Sequence, residues 1–63
     1  MSNNTNTILY ERAAEMVDHF YGKLPATLIE KAINEDDLDA LMWYVASAEA
    51  MVAEEVFHAN NVL

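Results

Sequence analysis

The 63-residue sequence contains no cysteine, a single glycine and only three basic residues. Without cysteine it can form neither disulfide bonds nor thiolate metal sites, and it has no cysteine nucleophile. A single glycine cannot supply the glycine-rich loops of dinucleotide-binding or P-loop sites. Ser2 and Ser47 lack an evident catalytic base. We therefore expect a protein that is not an enzyme and that holds no cofactor.

Negative charge dominates the composition, with eleven acidic residues and a net charge of −8 at pH 7. Such a charge argues against direct binding to nucleic acid or to an anionic membrane, and it makes a basic protein the expected partner. Residues 1–7 resemble no secretory signal. The most apolar run, residues 41–53, is shorter than the about 20 residues that a membrane span needs. We expect a cytoplasmic protein.

The apolar pattern predicts an all-α fold with three helices in one domain, over residues 7–63, after a flexible polar leader at residues 1–6. The first helix, about 7–21, would be capped by Asn6 or Thr7 and stopped by Gly22. Its core face follows helical spacing. That face consists of Leu9, Ala13, Met16, Val17 and Phe20.

The second helix, about 25–33, is short and starts with Pro25, whose missing N–H is tolerated in a first turn. Residues 34–37 are Asn-Glu-Asp-Asp, which would end this helix and cap the third, about 37–59. The third helix then spans about 33 Å and the first only about 23 Å. At least one turn of the third helix therefore lacks a partner within the chain.

The third helix is apolar on too many sides for a monomer. A core line is expected at Leu38, Leu41, Met42, Val45, Val52 and Val56, a second line at Trp43, Ala50 and Phe57, and a third at Tyr44, Ala48 and Met51. A helix that is apolar nearly all round is buried nearly all round, which a chain of this length cannot achieve alone. Three explanations stay open: a homodimer through the third helix, a partner-binding face, or a Trp43 that covers one end of the core.

Acidic residues form two groups that could serve binding. Glu35, Asp36, Asp37 and Asp39 cluster at the start of the third helix, and Glu11, Glu15 and Asp18 form a row along the first. Solubility and helix capping explain such residues, but the two groups could also imitate phosphates and occupy the groove of a nucleic-acid-binding protein, by analogy with phage-type antagonists.

We therefore predict a small acidic interaction module that binds and regulates or inhibits a partner protein. Its candidate binding residues are Trp43, Tyr44, Met51, Phe57 and the seven acidic residues of the two groups. A structural subunit of a larger complex is one alternative.

Several further glutamate and histidine residues have possible chemical roles. Glu49 falls within the core line, where a carboxylate must either pair with Arg12, Lys23 or Lys31 or reach the margin of the core.

Glu55 and His58 have the Glu-x-x-His spacing of metal sites in helical bundles, and Glu15 and His19 could add ligands. No resident metal is predicted. A metal-binding helical assembly remains an alternative, and it needs a dimer or larger complex to complete the ligand set.

Overall fold

The computed structural model describes residues 3–60, and the side chains of residues 6–56, as three α-helices. They are α1 (Asn3–His19), α2 (Leu24–Asn34) and α3 (Leu38–Asn60). All three helices contact one another, and the described part of the chain contains no strand. The predicted all-α, three-helix architecture is therefore confirmed.

Helix α1 begins earlier than predicted. Residues 3–6, which we expected in a flexible leader, form its first turn, so Asn6 and Thr7 lie inside the helix and neither is its cap. Asn and Thr differ from alanine in helix propensity by less than about 0.7 kcal/mol per residue, and no glycine or proline intervenes. A helix anchored by packing further along can therefore extend through them. Residues 1 and 2 lie outside the described part.

The connection between α1 and α2 is built around Gly22 and a buried aromatic side chain. Helix α1 ends at His19, before the predicted end at about residue 21, and Gly22 lies in the turn that follows, with φ +80°, a left-handed conformation that glycine adopts without steric cost. Phe20 is buried at this corner, and its carbonyl accepts a hydrogen bond of 2.8 Å from the N–H of Lys23. Pro25 lies in the first turn of α2, as predicted.

The acidic segment between α2 and α3 forms a Schellman motif. Asp36 adopts the left-handed conformation (φ 55°), and its N–H donates to the carbonyl of Ile33 at 3.1 Å. The N–H of Asp37 donates to the carbonyl of Ala32 at 3.0 Å. These two bonds satisfy carbonyls that the end of α2 leaves free. Glycine usually takes the left-handed position, but aspartate tolerates it.

The core is built from one face of each helix. Nine of the described side chains are buried: Leu9, Ala13, Phe20, Ala26, Ile29, Ala32, Leu41, Val45 and Ala48. Four of these are alanines, which allow the helix backbones to approach closely. Met16 and Val17 are half-buried against the same cluster, so the predicted core face of α1 is confirmed.

Helix α3 is rotated relative to the prediction. Met42 is 56% exposed and Val56 is also exposed, although both were expected in the core. The observed core line runs through Leu41, Val45, Ala48 and Val52, at spacings of four, three and four. Met42 lies about 100° around the helix from Leu41, so α1 and α2 leave more than half of its side chain exposed. Val56 lies one turn past Val52, the last core-packed side chain described, so the end of α3 extends past the core.

This rotation predicts a sharp contrast between two adjacent residues. Leu41→Ala should lower the free energy of unfolding by about 2–5 kcal/mol, because it opens a cavity at a fully buried site. Met42→Ala should change it by no more than about 0.5 kcal/mol, because that side chain faces solvent. Urea denaturation followed by circular dichroism measures both. Equal losses would contradict the observed orientation of α3.

Candidate protein-interaction surface

Trp43 is a large aromatic side chain on the surface, and 73% of it is exposed. It lies on the side of α3 opposite Val45, with Asp39 one turn before it and Ala46 one turn after. A second groove beside Met42 crosses to α1, where Ile8 is also exposed. We call the surface formed by Ile8, Asp39, Met42, Trp43 and Ala46 the Trp43 face. It combines apolar side chains from two helices with one carboxylate.

The predicted second line of α3 does face solvent. Ala50 is exposed seven residues after Trp43, whereas the side chain of Phe57 lies outside the described residues. The possibility that Trp43 covers one end of the core is wrong, because its side chain is mostly exposed. The third line is divided: Ala48 is buried, Tyr44 is half-buried against the core, and Met51 is exposed.

Tyr44 and Met51 belong to a different apolar surface, which we call the Leu24 groove. This groove lies between α2 and α3 and has a volume of about 370 Å³. Its lining exposes only apolar atoms. The lining residues are Leu24, Pro25, Leu28, Tyr44, Ser47, Ala48 and Met51. The described part of the chain therefore has two apolar surfaces on different flanks of α3, one with Trp43 from the predicted second line and one with Tyr44 and Met51 from the predicted third line.

The acidic cluster at the start of α3 is largely occupied by helix capping. Glu35 is the C-cap of α2, and Asp36 holds the left-handed position after it. Asp37 caps α3, because its Oδ1 accepts a hydrogen bond of 3.2 Å from the N–H of Ala40. Within the cluster, only Asp39 lines the Trp43 face. The predicted capping role is confirmed.

The acidic row of α1 is exposed as predicted. Glu11, Glu15 and Asp18 all face solvent, and none of them forms an ion pair with another described side chain. Their carboxylates add to the negative potential around the molecule.

Glu49 is paired with Arg12, one of its three predicted partners. The guanidinium donates two hydrogen bonds, from Nε to Oε2 at 2.9 Å and from Nη2 to Oε1 at 2.5 Å. This bidentate contact joins α1 to α3 and lowers the pKa of Glu49 through the hydrogen bond and the positive charge of Arg12. The same contact raises the pKa of Arg12. Glu49 therefore lies at the margin of the core, with its charge satisfied.

The predicted metal ligands are only partly brought together. His19 Nε2 lies 3.7 Å from Glu55 Oε1, across the ends of α1 and α3. No group of three potential ligands of the kinds His, Cys, Asp and Glu occurs among the described residues. His58 lies outside the described side chains, so its predicted pairing with Glu55 stays a prediction.

Comparison with known proteins gives no match to a family model, to a curated protein or to a solved structure. In the described part of the chain, none of the helices combines the length and apolarity needed to cross a membrane.

The Arg12–Glu49 pair predicts a specific pH dependence. Because the folded pKa of Glu49 is lowered, the pair contributes stability above the ordinary glutamate pKa of about 4.3, and this contribution disappears as pH falls through the lower folded value. Glu49→Gln should lower the free energy of unfolding at pH 7 by less than about 1 kcal/mol, since both side chains are partly exposed. The difference from wild type should vanish near pH 2.

Denaturation at several pH values measures this difference. Glu11→Gln is the matched control, because Glu11 is exposed and has no ion pair with a described side chain. A loss in Glu49→Gln that is the same at pH 2 and pH 7 would contradict the pairing.

Two substitutions at Asp37 distinguish the contribution of its capping hydrogen bond to stability from that of its negative charge. Asp37→Asn keeps an oxygen acceptor for the Ala40 N–H and should stay within about 0.5 kcal/mol of wild type. Asp37→Ala removes the acceptor and should lower the free energy of unfolding by about 0.5–2 kcal/mol. Thermal or urea denaturation compares them. If both variants lose the same stability, the negative charge rather than the hydrogen bond is the important feature.

Proposed function

We propose that this chain is a small, cytoplasmic protein-interaction module whose Trp43 face binds a basic partner protein and thereby regulates or inhibits it. The exposure of Trp43 beside Met42 and Asp39 is the observation that supports this proposal most directly. Tryptophan is enriched among the residues that dominate binding energy at protein interfaces. Contiguous exposed apolar surface in a small domain commonly marks an interaction site.

The chemistry of the Trp43 face defines the partner. Its grooves on either side of Met42 accept aliphatic or aromatic side chains. Asp39 can pair with a lysine or arginine, and the same cation can stack on the indole of Trp43. The net charge of −8 accelerates the encounter with a basic protein. The preferred partner surface is therefore basic, with apolar side chains among its cations.

Nucleic-acid-binding proteins are the class that best combines these properties, because they present dense lysine and arginine surfaces to phosphates. The exposed carboxylates of Glu11, Glu15 and Asp18 extend the negative charge along α1. A module seated on such a surface would exclude nucleic acid and so inhibit its partner. This mode of regulation needs no enzymatic activity.

We further propose that the chain is a homodimer through α3. If two copies met through the Trp43 face, their like charges would oppose association, and added salt would strengthen it. Binding of a basic partner to the same face would instead weaken with salt. A purely structural subunit, held by apolar contact alone, would show little dependence on salt.

Paired aromatic variants test the proposal. Trp43→Ala should abolish capture of a basic protein from lysate of the native host, whereas Tyr21→Ala should not, although Tyr21 is 80% exposed. About 0.5 M salt should release the captured protein. With the purified partner, Trp43→Ala should weaken binding by about 2 kcal/mol or more, roughly 30-fold. Fluorescence of Trp43, the only tryptophan in the chain, follows binding to the wild-type module.

Competition experiments complete this test. Nucleic acid should displace the module from the partner, since both occupy the same basic surface. Equal capture by wild type and Trp43→Ala would contradict a role for the Trp43 face, and capture that is insensitive to salt would contradict a basic partner.

A further inference from the structure

The Leu24 groove is a second uncovered surface with a different electrostatic character. Leu24 is 68% exposed, and Met51 faces the groove from α3. The groove lies on the opposite flank of α3 from Met42. Partner binding at the Trp43 face leaves this groove open to solvent.

The two lysines of the chain lie next to residues of α2 that line this groove or directly precede them. Of the three basic residues, Arg12 is held by Glu49. Lys23 directly precedes Leu24, and Lys31 lies three residues after Leu28, on the same face of α2. Neither lysine forms an ion pair with a described side chain. Two of the three cations of this acidic chain therefore lie close to one apolar groove.

We infer that the Leu24 groove is the surface through which two copies of this chain pair. Two chains of charge −8 repel each other, and a pairing that sets lysines of one copy against carboxylates of the other offsets part of this repulsion. A domain of about 60 residues has a limited core and gains stability when a second copy covers an apolar groove. Pairing through one shared surface gives an isologous, two-fold dimer.

The order of residues along the groove favours an antiparallel arrangement of the two α3 helices. The three-residue connection at 35–37 brings the end of α2 beside the start of α3, so Lys31 lies toward the Tyr44 end of the groove. Glu54 and Glu55 lie about one turn beyond Met51, at the other end. An antiparallel pair sets the Tyr44 end of one copy against the Met51 end of the other. Lys31 of each copy then meets Glu54 and Glu55 of its partner.

This dimer has a functional consequence. Trp43 and Tyr44 are neighbours in sequence but point about 100° apart around α3, so pairing through the Leu24 groove leaves both Trp43 faces free. The dimer is then bivalent and binds a partner with repeated or paired basic surfaces more tightly than one module does. Bivalency rests on the proposed function, whereas pairing through the groove is independent of it.

Sedimentation equilibrium of the full chain tests the pairing. The wild type should be a dimer, Leu24→Glu and Met51→Glu should be monomers with wild-type circular dichroism, and Trp43→Ala should remain a dimer. Both glutamate substitutions replace exposed side chains, so folding should tolerate them. A monomeric wild type at millimolar concentration would overturn the inference. So would a dimer that Trp43→Ala dissociates and Leu24→Glu does not, which would assign the interface to the Trp43 face.

Charge reversal tests the antiparallel register. Lys31→Glu and Glu54→Lys should each weaken self-association by about tenfold, because each places like charges together at both ends of the interface. An equimolar mixture of the two variants should recover wild-type association. The mixed dimer carries the same total charge as the wild-type dimer, so recovery reports local pairing. A mixture that associates no better than either variant alone would overturn the register.

The experiments distinguish a failure of the proposed pairing from a failure of the proposed partner binding. Loss of partner capture by Trp43→Ala together with an intact dimer supports both. A dimer that dissociates in Leu24→Glu, while Trp43→Ala still captures the partner, supports the pairing and contradicts the proposed function.

Discussion

Helix α3 has more apolar surface than α1 and α2 together can cover. The other surface features of the molecule follow from this mismatch. The two shorter helices bury one line of α3, from Leu41 to Val52. On one flank Met42 and Trp43 remain exposed, and on the other Met51 does. A core of this size gives a domain of about 60 residues only modest stability. The molecule therefore combines a small folded core with two exposed apolar surfaces.

The sequence predicted the number of helices because the ends of α2 and the end of α1 carry local signals. Gly22 adopts a left-handed conformation, Pro25 fits a first turn, and Asp37 caps α3, and each of these effects depends on a few neighbouring residues. The start of α1 was predicted too late because Asn and Thr are typical of helix caps. Their weak helix propensity does not stop a helix that packing stabilises.

The rotation of α3 was not predictable from periodicity, because a helix that is apolar on all sides has no unique core face. For this reason Met42, expected in the core, is exposed, whereas Tyr44, expected on a flank, is half-buried against the core. The exposure of Trp43 could be predicted from the sequence, because the charged residues Asp39 and Glu54 lie on the same side of α3. Choosing Arg12 rather than a lysine as the partner of Glu49 required the packing of α1 on α3, two segments 37 residues apart.

Asp37 couples the folding of two helices. Its N–H donates a hydrogen bond to the carbonyl of Ala32 at the end of α2. Its own carbonyl accepts a hydrogen bond from the N–H of Leu41, and its carboxylate accepts one from the N–H of Ala40. One residue thus terminates α2 and initiates α3, with no flexible spacer between them. Local opening at this corner must loosen both helices together, so α2 and the start of α3 behave as one cooperative unit. A molecule that binds Asp39 and Trp43 would therefore also stabilise the end of α2, although it does not contact α2.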